Sequence, residues 1–299
     1  SARHLYLASL MSTPPVSPPD RDVRLLRSVR LQNLLSFGPD TPALDLRPLN
    51  VLIGANGSGK SNVLAALSLL PHLAGDVNEA FRHGGSTLRE WLHKGDRTRT
   101  AAIEVVVSGA DEDAIVHYIS FTEQDWRFWV RKETVTLLDD YHGQSPAFYE
   151  REFDHSGDGY STAGLIIDLE APDRPEELDT DETGSALSQL RDRRRFRAFA
   201  TLTDAYEGIA LFRNYTFGGD SPLRQPQRGD SPGNFLREGG ANLALVLNQL
   251  RRDFEAKDRI VALLDELYEN IKDYETFTQV AYVELALREG QHIIRVAIG

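Results

Sequence analysis

Apolar and polar residues alternate with a period of two through the middle third of the chain, the pattern of β-strands that bury one face. Four such segments follow one another without a helical pattern between them: Ala102–Val107, Ala114–Phe121, Arg127–Leu137 and Phe148–Phe153. Turn residues such as Gly109-Ala110-Asp111 separate them. Strands in direct succession predict an antiparallel meander.

The segment before the meander carries shorter apolar runs. Leu25–Leu34 alternates arginine with apolar residues and predicts a strand, and Leu44–Leu46 predicts a second one. The apolar run Leu49–Ile53 predicts a buried strand. After a glycine-rich stretch, Asn62–Leu67 predicts the start of a helix that Pro71 stops.

The last part of the chain changes to a helical period. It predicts three helices and a terminal hairpin, at Ser185–Thr203, Ala241–Arg252, Asp258–Ile271, and Val280–Leu287 with Ile293–Ile298. Just upstream, Ala171–Gly184 is acidic and contains proline. Because it has too few apolar residues to pack, it predicts a mobile loop.

The glycine-rich stretch is the most informative motif. Residues 54–61 read Gly-Ala-Asn-Gly-Ser-Gly-Lys-Ser and satisfy G-x-x-x-x-G-K-[ST], the phosphate-binding P-loop. Between a predicted strand and a predicted helix, its backbone N–H groups and the helix dipole favour a polyphosphate. The motif therefore predicts nucleotide binding; a chance glycine-rich turn is the alternative.

Each residue type in the loop has a chemical reason. Gly54, Gly57 and Gly59 are expected to allow positive φ and a close backbone approach to phosphates. Lys60 is expected to place a cation against the β- and γ-phosphates, and the Ser61 hydroxyl to ligate a bridging Mg²⁺. The predicted nucleotide-binding residues are Gly54, Ala55, Asn56, Gly57, Ser58, Gly59, Lys60, Ser61 and Asn62.

Composition limits the other classes of function. The 299 residues carry a net charge of −12, which argues against a protein that coats nucleic acid over its whole surface. There is no cysteine, which excludes disulfides, cysteine-ligated metals and a thiol nucleophile. No apolar stretch approaches the roughly 20 residues of a membrane-spanning helix. We expect a cytoplasmic protein that does not contact a membrane.

These patterns together predict an α/β fold in which a P-loop core carries the antiparallel meander and a helical lobe. We expect residues 1–22 to form a disordered, proline-containing leader and residues 23–299 to form the P-loop domain. Within that domain the predicted parts are the nucleotide-binding core with the meander (23–153), the acidic loop (154–184), and the helical lobe with the terminal hairpin (185–299).

The amino-acid sequence of the P-loop resembles that of one group of ATPases. Ala55–Asn62 is similar to the G-x-N-G-x-G-K-S-N loop of RecF-like, SMC-like and OLD-like proteins, whose heads are of the ABC type. Arg30–Phe37 resembles their opening strand and N-F-x-S-F turn, although Leu34 replaces the usual aromatic residue and Leu35 the usual basic one. Further segments resemble prokaryotic members of the group: Glu90–Gly95, Phe212–Gly218 and Asn242–Leu250.

This resemblance implies an ATPase that uses ATP and Mg²⁺. It implies a homodimer in which two heads sandwich ATP, with Lys60 of one head facing the signature sequence of the other, and a role in DNA repair or anti-phage defence, with DNA a candidate partner. The heads also use a loop glutamine at Mg²⁺, for which Gln225 is the candidate and Gln227 the alternative. Phe37 is expected near the base.

Some parts of an ABC-type head have no convincing match in the sequence: the L-S-x-G signature, a Walker B strand ending in Asp-Glu, and a switch histidine. Ile260–Glu266 imitates a Walker B strand, but its apolar spacing favours an amphipathic helix. Leu165–Asp168 is more strand-like and lacks the glutamate. We therefore expect the chain to end before the Walker B segment, and to bind ATP·Mg better than it hydrolyses it.

Other readings stay open. The chain could be a non-hydrolysing nucleotide-binding module, or another P-loop protein such as a kinase or GTPase; no N/T-K-x-D motif supports a GTPase. The arginine run 191–197 predicts a solvated helix face whose positive charges balance the acidic loop upstream. Nucleic-acid binding is the alternative. Trp126, Phe128 and Trp129 predict sheet packing, with base stacking as the alternative. The scattered histidines do not favour a metal site.

Overall fold

A strand needs neighbouring strands to satisfy its backbone N–H and C=O groups. In the structure, the segments with a period-two pattern have such neighbours along most of their length. The computed structural model describes residues 25–83, 86–95, 99–109, 114–138, 147–153, 164–166, 176–213, 215–216 and 218–296. The expected leader, residues 1–22, lies outside these ranges. The chain divides into two units, Ser1–Ile209 and Ala210–Gly299.

The first unit is built on an antiparallel sheet of eight described strands in the order β2-β1-β3-β4-β5-β6-β7-β8. Its elements, in chain order, are β1 (Leu26–Gln32), β2 (Leu44–Asp45), α1 (Lys60–Leu67), α2 (Leu70–Leu73), α3 (Val77–His83), α4 (Leu88–Trp91), β3 (Thr100–Ser108), β4 (Ala114–Gln124), β5 (Arg127–Leu138), β6 (Ala147–Glu152), β7 (Gly164–Ile166), β8 (Glu176–Leu178), α5 (Ala186–Gln189) and α6 (Arg197–Glu207).

The predicted meander is confirmed in β3 to β6. Each strand pairs antiparallel with the next, for example Ile103 with Ile119 and Val135 with His117. The inward positions alternate as the sequence indicates, so that Val105 and Val107 of β3 are fully buried. The helices α2, α3 and α6 pack together with this face of the sheet in one apolar core.

Two interpretations of the sheet were wrong in part. The acidic segment is not a free loop where the structure describes it, because residues 176–178 form β8 and extend the sheet. Trp126 does not pack on the sheet: it lies at the β4–β5 turn with φ 64°, and its side chain is 73% exposed. Phe128, two residues later, is fully buried, as predicted.

The arginine run is a turn for most of its length, since α6 begins only at Arg197. The predicted helix face was therefore wrong for this part of the run. Arg195 contacts Glu176 of the acidic segment, which confirms the predicted pairing for this residue. Arg193 instead contacts Asp204 of α6, at 2.5 Å.

The described part of the second unit combines two α-helices with a four-stranded sheet, so the expected helical lobe needs correction. Its elements are β9 (Gln227–Arg228), α7 (Leu243–Leu250), α8 (Phe254–Leu267), β10 (Ile271–Gln279), β11 (Tyr282–Glu289) and β12 (His292–Arg295). β11 pairs with β10, β12 and β9, and α7 and α8 pack on this sheet around Tyr274 and Leu285. The terminal hairpin is confirmed at β11–β12, whereas β10 was not predicted.

Among the described residues, no helix combines the length and the apolar character that crossing a membrane requires.

Candidate nucleotide-binding site

The P-loop leads directly into α1. Gly57 has φ 83° and Gly59 has φ 91°, left-handed values that favour glycine. The prediction is thus confirmed for these two residues and wrong for Gly54, which has no positive φ. A Cβ atom at Gly54 would lie 2.8 Å from the Ser58 Oγ, so the Ser58 hydroxyl would have to move.

The Lys60 ammonium folds back over the start of the loop. Its Nζ donates to the carbonyl oxygens of Gly54 and Ala55, at 2.7 Å each, and lies 3.3 Å from the Ser58 Oγ. These are neutral acceptors on a half-exposed surface. Phosphate oxygens would accept stronger, charge-assisted hydrogen bonds from the same ammonium.

The first turn of α1, which begins at Lys60, carries backbone donors. The N-cap of α1 is Gly59, which has no side chain to cap the helix. The first-turn N–H groups of a helix have no intrahelical acceptors and carry the positive end of its dipole. They include those of Ser61 and Asn62, so α1 presents donors to an anion beside Lys60. The helix ends at Leu67, and Pro71 lies in the first turn of α2 instead of stopping α1.

The chemistry of the donor set also fits Mg²⁺ bound with a triphosphate. The Ser61 side chain is exposed in the first turn of α1 and offers one neutral oxygen. Mg²⁺ in nucleotide sites takes its other ligands from phosphates and water. Among the described residues there is no cluster of three His, Asp or Glu side chains that could hold a metal. A metal at Ser61 would therefore depend on the nucleotide.

The turn after β1 supports the loop from the side. The Asn62 Nδ2 donates to the Ser36 Oγ at 2.9 Å. A Cβ atom at Gly59 would lie 3.0 Å from that Oγ and 3.5 Å from the Phe37 ring. Phe37 thus lies beside the P-loop, and its expected position near the base stays a prediction. Gly59 is favoured both by its φ and by this close contact.

The two leucines that differ from the N-F-x-S-F pattern of the resembled ATPases take part in packing. Leu34 is fully buried and pairs with Leu92, and the Leu35 N–H donates to the Trp91 carbonyl at 2.5 Å. The His93 Nδ1 lies 3.0 Å from the Leu35 carbonyl oxygen. The structure thus brings the Arg30–Phe37 and Glu90–Gly95 segments together below the P-loop.

A cavity of about 380 Å³ opens beside the loop. Val29 and Leu31 of β1, Phe37 and residues 42–44 form an apolar wall, and the P-loop residues at its polar end are Gly54, Ser58, Gly59 and Lys60. None of the described residues that line it carries a carboxylate. The cavity can accept an apolar ring next to a phosphate group, but it offers no base for an attacking water.

The run Leu49–Ile53 was predicted to be a buried strand, and this was wrong. It forms no strand, and Val51 and Ile53 are 71% and 90% exposed. A buried strand needs a neighbour for its N–H and C=O groups, and no described strand pairs with this run. The P-loop is therefore entered from an exposed segment without regular secondary structure.

The glutamine candidates lie in the second unit. Gln225 is exposed, and its Nε2 lies 3.4 Å from the Gly219 carbonyl oxygen. Gln227 is buried in β9, and its Oε1 accepts from the Leu245 N–H at 3.3 Å. Neither contact involves a P-loop residue, so the role of Gln225 at Mg²⁺ stays a prediction.

The structure also places the two segments whose sequences resemble a Walker B strand. Ile260–Glu266 lies within α8, which confirms the helical interpretation, and Asp265 pairs with Lys272 at 2.5 Å. Gly164–Ile166 is β7, but Asp168 lies outside the described residues.

A second polar cluster, which the sequence analysis missed, lies in the core of the first unit. The fully buried Glu133 on β5 accepts hydrogen bonds from Arg151 (2.6 and 2.9 Å), His117 (3.0 Å), Ser185 (2.5 Å) and the Ala186 N–H (2.9 Å). Burial alone would raise the pKa of Glu133, but the charge of Arg151 and the hydrogen bonds of His117 and Ser185 outweigh it and lower the pKa to about 2.

This cluster fastens a surface segment to the sheet. Arg151 also donates to the carbonyl oxygens of Asp181 and Gly184, and Ser185 caps α5. The His117 Nδ1 lies 2.8 Å from the Tyr206 hydroxyl. Burial, and then the charge of Glu133, raise the pKa of Tyr206 far above its usual value, so the phenol remains a donor. All members are enclosed, so the cluster is structural.

The glycine loop, the Lys60 ammonium and the uncapped first turn of α1 are the features of a phosphate-binding P-loop. A family model described as "AAA domain, putative AbiEii toxin, Type IV TA system" matches residues 49–92. The match spans the P-loop and α1 to α4 and supports an AAA-type P-loop ATPase domain. No curated protein matches the chain.

Proposed function

We propose that this protein binds ATP through residues 54–62, with Mg²⁺ held by the Ser61 hydroxyl and the phosphates. One observation carries the proposal: two left-handed glycines lead into α1, whose first turn has no side-chain cap, and the Lys60 ammonium of that turn donates to neutral acceptors of the loop. Cation and N–H groups together favour a polyphosphate. The apolar wall near Phe37 supports placing the base in the adjoining cavity.

We further propose that this chain by itself hydrolyses ATP only weakly. Phosphoryl transfer needs a group that orients the attacking water, in addition to the cation and Mg²⁺. No carboxylate is found among the described residues that line the cavity. Saturable binding with little phosphate release is therefore expected of the purified chain.

At the level of the protein class, the proposal is a RecF-like, SMC-like or OLD-like ATPase head that dimerises around ATP. The P-loop wording and the contact between the two resembling segments, Arg30–Phe37 and Glu90–Gly95, support it. The name of the matching family refers to a toxin–antitoxin system, which favours defence over DNA repair. DNA as a partner and the homodimer rest on the resemblance.

The direct test is the affinity of the Lys60→Ala variant for ATP·Mg, measured by calorimetry. Losing the charge-assisted hydrogen bonds should cost about 2–3 kcal/mol, a decrease of about 30- to 150-fold. Lys94→Ala is the matched control, because Lys94 is an exposed lysine of the same unit that does not line the cavity beside the P-loop. Equal affinity of the Lys60→Ala and unaltered chains would remove the proposal.

The non-hydrolysing module is the second candidate, and the absence of a carboxylate from the described cavity wall favours it. Phosphate release under saturating ATP distinguishes it from an ATPase. Turnover that disappears in Lys60→Ala would establish hydrolysis by this chain. Competition of GTP against ATP tests the remaining P-loop classes.

A further inference from the structure

The second unit contains a cavity of about 330 Å³ between β9, the loops on either side of it and the start of α7. Its wall includes Gln227, Arg228, Ser231, Arg237 and Asp220. This volume is that of a small-molecule site. The cavity consists of residues of the second unit only, and the P-loop has no part in it.

Gln227 forms part of the wall and is only 6% exposed. Its Oε1 accepts from the Leu245 N–H, which fixes the orientation of the amide. Its Nε2 is buried and has no hydrogen-bond partner in the part of the chain that the structure describes. Burying an amide donor without an acceptor is unfavourable, so the missing acceptor calls for an explanation.

Arg237 brings a cation to the same wall. Its backbone N–H donates to the Oδ1 of the buried Asn242, which is itself held by the carbonyl oxygens of Pro232 and Phe235. The backbone of Arg237 is thereby fixed. Its guanidinium forms no hydrogen bond or ion pair with other described residues, whereas Arg228 is already paired with Asp230.

We propose that this cavity binds a small molecule through a phosphate or carboxylate group. The oxyanion would accept from the Arg237 guanidinium, the Gln227 Nε2 after a small adjustment of the wall, and the Ser231 hydroxyl. A guanidinium matches the geometry of both oxyanions. Asp220 lies on the same wall, so the ligand also carries a hydroxyl or amino group that donates to this carboxylate.

The test uses inorganic phosphate and acetate as probes and the full chain carrying Lys60→Ala, which weakens anion binding at the P-loop. Binding is measured by calorimetry and by the shift of the unfolding midpoint. Either probe is expected to bind, and the tighter one identifies the oxyanion. Arg237→Gln should weaken its binding at least about ten-fold. Arg224→Gln is the matched control, because Arg224 is exposed in the same unit and does not line the cavity.

Gln227→Met examines the buried donor separately, since it keeps the size of the side chain and removes the amide. It should weaken binding of the same probe several-fold while the chain stays folded. Three results would overturn the proposal: neither probe binds, Arg237→Gln binds as tightly as Arg224→Gln, or Gln227→Met leaves the affinity unchanged. Loss of ATP binding alone would remove the proposed function and leave this site intact.

Discussion

The first unit contains two contrasting charged sites, the Glu133 cluster and the Lys60 loop. Glu133 and Arg151 are fully buried and bonded to each other, and the remaining acceptor positions of Glu133 are filled by Ser185, His117 and a backbone N–H. Lys60 is half-exposed and bonded mainly to neutral carbonyl oxygens of its own loop. One site is saturated with partners, and the other can exchange its partners for a ligand.

This difference separates stability from binding. A buried ion that loses its partner is left uncompensated in a medium that solvates it poorly. The Lys60 ammonium, in contrast, can reach water when its acceptors are removed. We therefore expect substitutions in the Glu133 cluster to change the free energy of unfolding and those in the loop to change ATP affinity.

The largest effect is expected for Glu133→Ala. It leaves the buried Arg151 without its carboxylate and should lower the free energy of unfolding by about 3–5 kcal/mol, as measured by urea denaturation. Lys60→Ala should leave the same quantity unchanged while it weakens ATP binding. Glu150→Ala, on the next strand but exposed, is the control. A Glu133→Ala chain as stable as the control would break the comparison.

The same carboxylate predicts an acid dependence of stability. Because folding lowers the pKa of Glu133 from 4.5 to about 2, its contribution is fully present above about pH 4.5 and is lost as the pH falls towards 2. At about 1.4 kcal/mol for each unit of pKa, the contribution is about 3 kcal/mol. The carboxyl carbon signal of Glu133 should titrate near pH 2 in the folded chain. A midpoint near 4.5 would contradict the saturated ion pair.

An intermediate effect is expected for Gly59→Ala. The left-handed φ of 91° costs a side chain about 1–2 kcal/mol, and the new Cβ would press on the Ser36 Oγ at 3.0 Å. ATP affinity should fall with it, since the same backbone presents the N–H groups. Gly75→Ala is the matched control, because it has open space around it and no positive φ. Equal stability of the two variants would show that the loop relaxes without cost.

The sequence predicted the parts of the first unit that depend on local pattern. The meander follows from the period-two alternation, and the P-loop and its helix follow from a contiguous motif. The exposed run Leu49–Ile53 was assigned wrongly because apolar character indicates a strand without showing whether a neighbour exists. Whether such a run forms a strand depends on pairing with a neighbouring strand, and the local sequence pattern does not show that pairing.

The Glu133 cluster was missed because its members are far apart in sequence, with Ser185 lying 52 residues after Glu133. A signal was nevertheless present. His117 falls between Ile115 and Ile119 on the inward face of β4, and Arg151 occupies an inward position of β6. A charged residue at an inward position of a regular strand indicates a buried partner.

The smallest effect is expected for Arg195→Gln. Arg195 pairs with Glu176 on the surface, and both side chains are about half-exposed. Exposed ion pairs contribute little because water and salt screen them, so the urea midpoint should not change measurably.

The same variant tests the alternative interpretation, in which the arginine run binds nucleic acid. If Arg195→Gln, and not the control Arg224→Gln, reduces retention of single-stranded DNA with a weaker salt dependence, the run binds phosphates in addition to pairing with β8. Unchanged retention leaves Arg195 as a surface partner of Glu176.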